Sequence, residues 1–170
     1  MILFIGDKDI FDFISAITPE ITYDIGIESA DKLIVCDSSD QAIAAVRAAL
    51  LINIPVLGIL GGSNAVATAC QLRVETIENC SEGKQEYAVT DTGCPLFHGL
   101  EKVIKICRGN PSAILETSLS AGFDCIARAE TGEILAFSEA DSGVYAVNFY
   151  LSSGLTPDGK GIIKNFIDLV

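Results

Sequence analysis

Three short apolar runs constrain the fold of this chain more than any other feature. They are Met1-Ile2-Leu3-Phe4-Ile5, Lys32-Leu33-Ile34-Val35-Cys36 and Ile54-Pro55-Val56-Leu57-Gly58-Ile59-Leu60. Each is continuous rather than alternating, and each ends in a polar or glycine turn: Gly6-Asp7, Asp37-Ser38-Ser39-Asp40 and Gly61-Gly62. A strand apolar on both faces must be covered on both faces, which is the pattern of a parallel sheet. Segments of helical spacing separate the runs. Residues 10–17 are apolar at Ile10, Phe11, Phe13, Ile14 and Ile17, with Pro19 as a stop. Residues 22–27 read as a short strand. The Ala-rich residues 41–51 read as a helix that Asp40 is expected to cap, and 65–71 as another.

The second half is richer in strands. Residues 87–92, 103–108, 123–130, 134–138 and 144–149 carry β-favouring stretches between Gly, Asp and Ser breaks, and 160–170 closes the chain as a helix. There is no repeat, low-complexity stretch or linker. The expectation is one α/β domain over residues 1–170, in three layers, with a mostly parallel central sheet flanked by helices.

Composition limits the chemistry. The chain of 170 residues has 11 Lys plus Arg against 23 Asp plus Glu, a net charge of −12. That balance argues against nucleic acid, because phosphate binding needs clustered basic residues. The six cysteines are widely spaced and form no CxxC pair, which speaks against a zinc ribbon or a dithiol redox site. A single histidine, His98, would have to serve any Cys–His, Ser–His or His-based metal centre. The carboxylates Glu75, Glu78, Glu82 and Glu86 read as a solvated acidic face, and Asp7 and Asp9 flank the first turn without metal-ligand spacing. No metal or cofactor is expected. No apolar run approaches the length of a membrane span and no signal peptide precedes the first strand, so the expected compartment is the cytoplasm.

Chemistry in an open α/β sheet sits beyond the carboxyl ends of its strands. Here the candidate is Leu60-Gly61-Gly62-Ser63-Asn64, a strand-to-helix turn whose glycines allow a sharp bend and aim backbone amides at one point. The glycines equally serve the turn alone.

The same segment resembles the nucleophile-elbow stretch of class I glutamine amidotransferases, P-[IV]-L-G-I-C-L-G-H-Q. Further landmarks follow in order. Gly93-Cys94-Pro95-Leu96-Phe97-His98-Gly99-Leu100 is similar to the family's LF-x-GL segment. Gly122-Phe123 followed by Ala127-Arg128-Ala129-Glu130 resembles its GF…A-R-S/T-E/D stretch. Tyr145-Ala146-Val147-Asn148-Phe149-Tyr150-Leu151-Ser152 stands where the family has Y-G-V-Q-F-H-P-E. Thr156-Pro157-Asp158-Gly159 and Asn165-Phe166 repeat its closing segment. Within the family the likeness runs to the separate amidotransferase subunits of GMP synthetase type. The resemblance implies a flavodoxin-like core and, for the family, glutamine hydrolysis by a Cys–His–Glu triad with ammonia passed to an acceptor subunit.

Against that pattern the departures are concentrated. The nucleophile position is Leu60, the His position Tyr150 and the Glu position Ser152. Ser63 and Asn64 stand where the family has His and Gln, and Asp37-Ser38-Ser39 where it has a Gly-Gly-Pro oxyanion turn. An aliphatic side chain cannot attack an amide, and a phenol is a poor proton acceptor at neutral pH. The expectation is a domain without glutaminase activity that partners a synthetase or acceptor subunit, or binds a small molecule. Candidate binding residues are Gly61, Gly62, Ser63, Asn64, Asp37 and Ser38. The alternative is a working amidotransferase subunit or a hydrolase with rebuilt chemistry, using Cys36 or Ser63 as nucleophile. Tyr150 and Asp37 are a further pair that would converge at the sheet edge.

Overall fold

The structure is a computed structural model that describes residues 1–120 and 122–170. Strand β1 (Ile2–Ile5) runs into helix α1 (Lys8–Ser15), whose first turn is capped by Asp7 accepting from Ile10 N–H. The chain returns through β2 (Ile21–Thr22), β3 (Lys32–Val35), α2 (Asp40–Leu51), β4 (Val56–Ile59) and α3 (Gly61–Ala69). The second half contributes β5 (Val74–Thr76), β6 (Gln85–Thr90), β7 (Val103–Cys107), β8 (Ser112–Ile114), β9 (Asp124–Ala129), β10 (Ile134–Glu139), β11 (Val144–Val147) and α4 (Gly159–Leu169).

Nine strands form one sheet in the order β2-β1-β3-β4-β11-β10-β9-β6-β7, and β5 pairs with β8 beside it. The five strands from β2 to β11 are parallel, and the four beyond run antiparallel. The continuous apolar runs are explained by two cores. Ile34 and Leu57 face one core, with Ile14 of α1 and Ile162 and Phe166 of α4. Leu33, Val35 and Val56 face the other, with Val46 of α2 and Val66 of α3. Each fully buried aliphatic or aromatic side chain contributes about 1.5–3 kcal/mol, so this two-sided burial, more than helix propensity, holds α1 to α4 in place.

The antiparallel strands curl back on the parallel ones. Arg108, just past β7, bridges to Phe149, just past β11, and Tyr150 N–H donates to Cys107 C=O at 3.0 Å. Thr156 Oγ1 accepts from Cys107 N–H at 2.8 Å and closes the same corner. The end of β7 is thereby fastened beside the carboxyl end of β11.

Four expectations change. The strand over residues 22–27 stops at Thr22, because Thr22 Oγ1 captures Asp24 N–H at 3.0 Å and the chain turns away into a 3₁₀ turn at Ile27–Ser29. Helix α2 is capped by Ser39, whose hydroxyl accepts from Ala42 N–H at 3.1 Å, and Asp40 is its first helical residue. Helix α3 starts at Gly61, directly after Leu60, rather than at Ala65. Glu86 is no member of a solvated face: it pairs at 2.8 Å with Arg108, which is 2% exposed.

Candidate functional site

Three parallel strands end at one edge and deliver the candidate residues there. β3 leads into Cys36, Asp37 and Ser38, β4 into Leu60 and α3, and β11 into Asn148, Phe149 and Tyr150. A single residue, Leu60, joins β4 to α3. Leu60 adopts φ 55° and ψ −117°, a conformation that costs a non-glycine residue about 1–3 kcal/mol. Its N–H donates to Val147 C=O at 2.9 Å, and its C=O accepts from Ser63 N–H at 2.9 Å. This is the geometry of a nucleophile elbow, in which a strained residue is held up between strand and helix. The Leu60 side chain is half-buried and packs on the core shared with α1 and α4.

The two glycines serve the approach of α3 to the sheet. A Cβ on Gly62 would stand 1.8 Å from Val35 O, and one on Gly61 3.2 Å from Cys36 O and 3.4 Å from Ser38 N. Gly61 therefore lies directly against the Asp37–Ser38 turn. Amides in the first turn of a helix have no partner inside it. Those of Gly61 and Gly62 have none elsewhere among the described residues. The elbow thus keeps free N–H groups beside Ser38.

The side chains that would use them are differently employed. Ser63, in the first turn of α3, is 4% exposed. Asn64 Oδ1 lies 3.2 Å from Ser112 Oγ, which also reaches Asn110 Oδ1. Asn148 donates from Nδ2 to Asn110 C=O and Ser112 C=O, and its buried Oδ1 has no partner among the described residues. These groups surround a void of about 10 Å³. Strand β8 supplies Ser112, and neither Ser112 nor Asn148 stood out in the sequence: β8 is a three-residue strand that follows a proline, and Asn148 reads there as one residue of a β-favouring run.

Cys36 is a poor substitute nucleophile. It is 7% exposed, and burial, with Asp7 and Asp37 nearby, pushes its thiol well above the ordinary range. The thiolate is the reacting form, so this environment works against attack. Asp37 and Tyr150 do not pair. Their strands are separated by β4, roughly 10 Å across two strand spacings, and the Asp37 carboxylate accepts from Ser39 N–H at 2.9 Å instead. Ser152 is exposed in the turn after β11, and neither its hydroxyl nor that of Tyr150 has a partner among the described residues. His98 is exposed, and its C=O accepts from Asn165 Nδ2 at 2.9 Å, in the packing of α4. Among the described residues no three His, Cys, Asp or Glu side chains gather as a metal site, and no helix is long and apolar enough to cross a membrane.

The sequence model of the family "Glutamine amidotransferase class-I" matches residues 29–169. A GMP synthase [glutamine-hydrolyzing] of Clostridium tetani is 29% identical over 116 residues, 68% of this chain and 22% of that protein. Aminodeoxychorismate synthase component 2 of Escherichia coli is 29% identical over 115 residues, 68% of this chain and 61% of that protein. The chain thus spans about a fifth of the GMP synthases it matches. In three dimensions it superposes on a putative GMP synthase subunit of Thermoplasma acidophilum with a TM-score of 0.80 at 19% identity, over 98% of this chain and 92% of that one. A glutamine amidotransferase of Thermotoga maritima superposes with a TM-score of 0.78 at 12% identity, over 98% and 96% of the two chains. At these identities the superpositions speak to the fold, while the family match reaches from the 3₁₀ turn before β3 to the end of α4, so the chain belongs to the class I glutamine amidotransferase family.

Proposed function

We propose that residues 1–170 form one glutamine amidotransferase-like domain that does not hydrolyse glutamine and acts in the cytoplasm as the non-catalytic partner of a synthetase subunit in nucleotide biosynthesis. The observation that carries this reading is the leucine at the strained elbow. Leu60 holds a strained φ 55° conformation at the position that the resemblance gives to the nucleophile, yet its side chain has no lone pair to attack with. Tyr150 and Ser152, at the positions that the resemblance gives to His and Glu, supply neither a base nor a charge to orient one. An idle elbow that keeps its strained backbone is consistent with a surface retained for binding.

A synthetase partner is supported by the relatives, which are named as GMP synthase and as component 2 of aminodeoxychorismate synthase. The net charge of −12 favours a basic docking face on that partner. The free amides of Gly61 and Gly62, next to Ser38, favour a second use of the same edge, the binding of a small anionic group.

The test combines the purified chain with the ATP-dependent GMP synthetase subunit of the same organism. A 1:1 complex in size-exclusion chromatography with light scattering, making GMP from ammonium but not from glutamine, is the expected result. Glutamine-dependent synthesis would overturn the loss of chemistry, and absence of a complex would overturn the partner role.

A further inference from the structure

A second crevice, of about 570 Å³, opens on the β1 side of Asp37. That volume lies within the range of small-molecule sites. Its position follows from topology. The chain leaves β1 towards β2 on one side and returns to β3 on the other, so the strand order reverses between β1 and β3. In open α/β sheets the space beyond the carboxyl ends at such a reversal is where ligands bind. The crevice exists because β2 is only two residues long. Once Thr22 Oγ1 takes Asp24 N–H, residues 23–27 leave the edge of β1 and form the outer wall.

The lining defines a chemistry. Ile5, Ile25, Ile27 and Ala45 give an apolar interior, each of them only half-buried. The Tyr23 ring forms an aromatic wall, edge-on to Phe4 at 5.4 Å and held in place by stacking on Phe11 at 4.3 Å. The residues with polar side chains that line it are Tyr23, Asp37 and Gln41. Asp37 is pre-oriented by Ser39 N–H. No Lys or Arg lines the space, and at the adjoining end of α2 Ser39 caps the Ala42 amide while Asp40 meets the dipole. No basic side chain is there to pair with a phosphate or carboxylate.

We infer that this crevice is a binding site for a compact cationic amine with an aromatic or other apolar body, its ammonium paired with Asp37 and its ring against Tyr23 and the isoleucines. The site adjoins the elbow through the Asp37–Ser38 turn, but it does not rest on what the elbow does. Tyramine is the probe, with benzoate as the anionic counterpart of similar size. In ¹H–¹⁵N NMR, tyramine is expected to shift the amide signals of Ile5, Ile25, Ile27 and Ala45 in a saturable way, while benzoate leaves them in place. Asp37→Asn keeps an oxygen for Ser39 N–H and is expected to raise the tyramine Kd at least 5-fold. Gln41→Ala, at an exposed helix position, is expected to raise it about 2-fold, and Ala45→Phe, which fills the space, to abolish binding. Unmoved signals, equal binding by Asp37→Asn with Ala45→Phe, or equal binding of benzoate would overturn the assignment.

Discussion

Gly62 and the carbonyl of Val35 meet so closely that a methyl group on the glycine would lie 1.8 Å from the oxygen. The contact joins the first turn of α3 to the end of β3 and sets the height of the elbow above the sheet. Gly58 shares the constraint, since a Cβ there would lie 2.5 Å from Gly62 O.

Gly62→Ala is therefore expected to destabilise the fold by about 3 kcal/mol in urea denaturation, the upper end for overpacking a core. Gly154→Ala, at a position with open space around it, should stay within about 0.5 kcal/mol of the parent. Equal effects would show that α3 can move off the sheet.

Ser39 and Asp40 can be told apart in the same assay. Ser39→Ala removes the hydroxyl that accepts from Ala42 N–H and should cost about 1 kcal/mol. Asp40→Ala removes only a charge in the first turn and should cost about 0.5 kcal/mol.

That pair also shows what the sequence conveys and what it does not. The continuous runs ending at Ile5, Cys36 and Leu60 announced the parallel strands because two-sided burial leaves a one-dimensional trace. The alternatives at a helix start differ by one residue, and Ser39 and Asp40 are both good caps, so the choice rests on local geometry. The elbow segment was legible from Gly61-Gly62 and from its family resemblance, which placed Leu60 at the bend. The crevice over β1 was not, because it depends on where a two-residue strand stops. The Asn148–Ser112–Asn64 cluster was equally hidden, since its members are brought together only by the fold.

Arg108 and Glu86 form the one ion pair among the described residues with a buried member. Arg108 Nε and Nη2 have no partner of their own there, so the single bond to Glu86 carries the compensation of the buried charge. Glu86→Ala should cost about 3 kcal/mol, as expected when one side of a buried pair is removed. Asp12→Ala, which breaks the exposed pair with Lys8, should leave the melting temperature close to that of the parent. A calorimetric melting series on both variants checks the contrast.

The cysteines fix an alkaline limit. Burial raises the thiol of Cys70 to about 11, and raises those of Cys36, Cys94 and Cys125 as well. A raised folded-state value means that the native chain holds protons which the unfolded chain has released. The associated stability is present below about pH 9 and is lost as pH rises towards 11. The Tm should therefore fall over that window, and less steeply in Cys70→Ser. Iodoacetamide labelling of Cys36, Cys70, Cys94 and Cys125 in the folded chain should be slow at pH 7.5, because little thiolate is present at these positions.

Ammonia release from glutamine by the purified chain, alone and in the presence of the synthetase subunit with its other substrates, tests the central claim most directly. The expected rate is indistinguishable from buffer in both conditions, because Leu60 stands at the elbow where a nucleophile would be needed. Glutamine-dependent ammonia release above that background would contradict it. Loss of that release in Cys36→Ser or Ser63→Ala would then identify the group that had taken over.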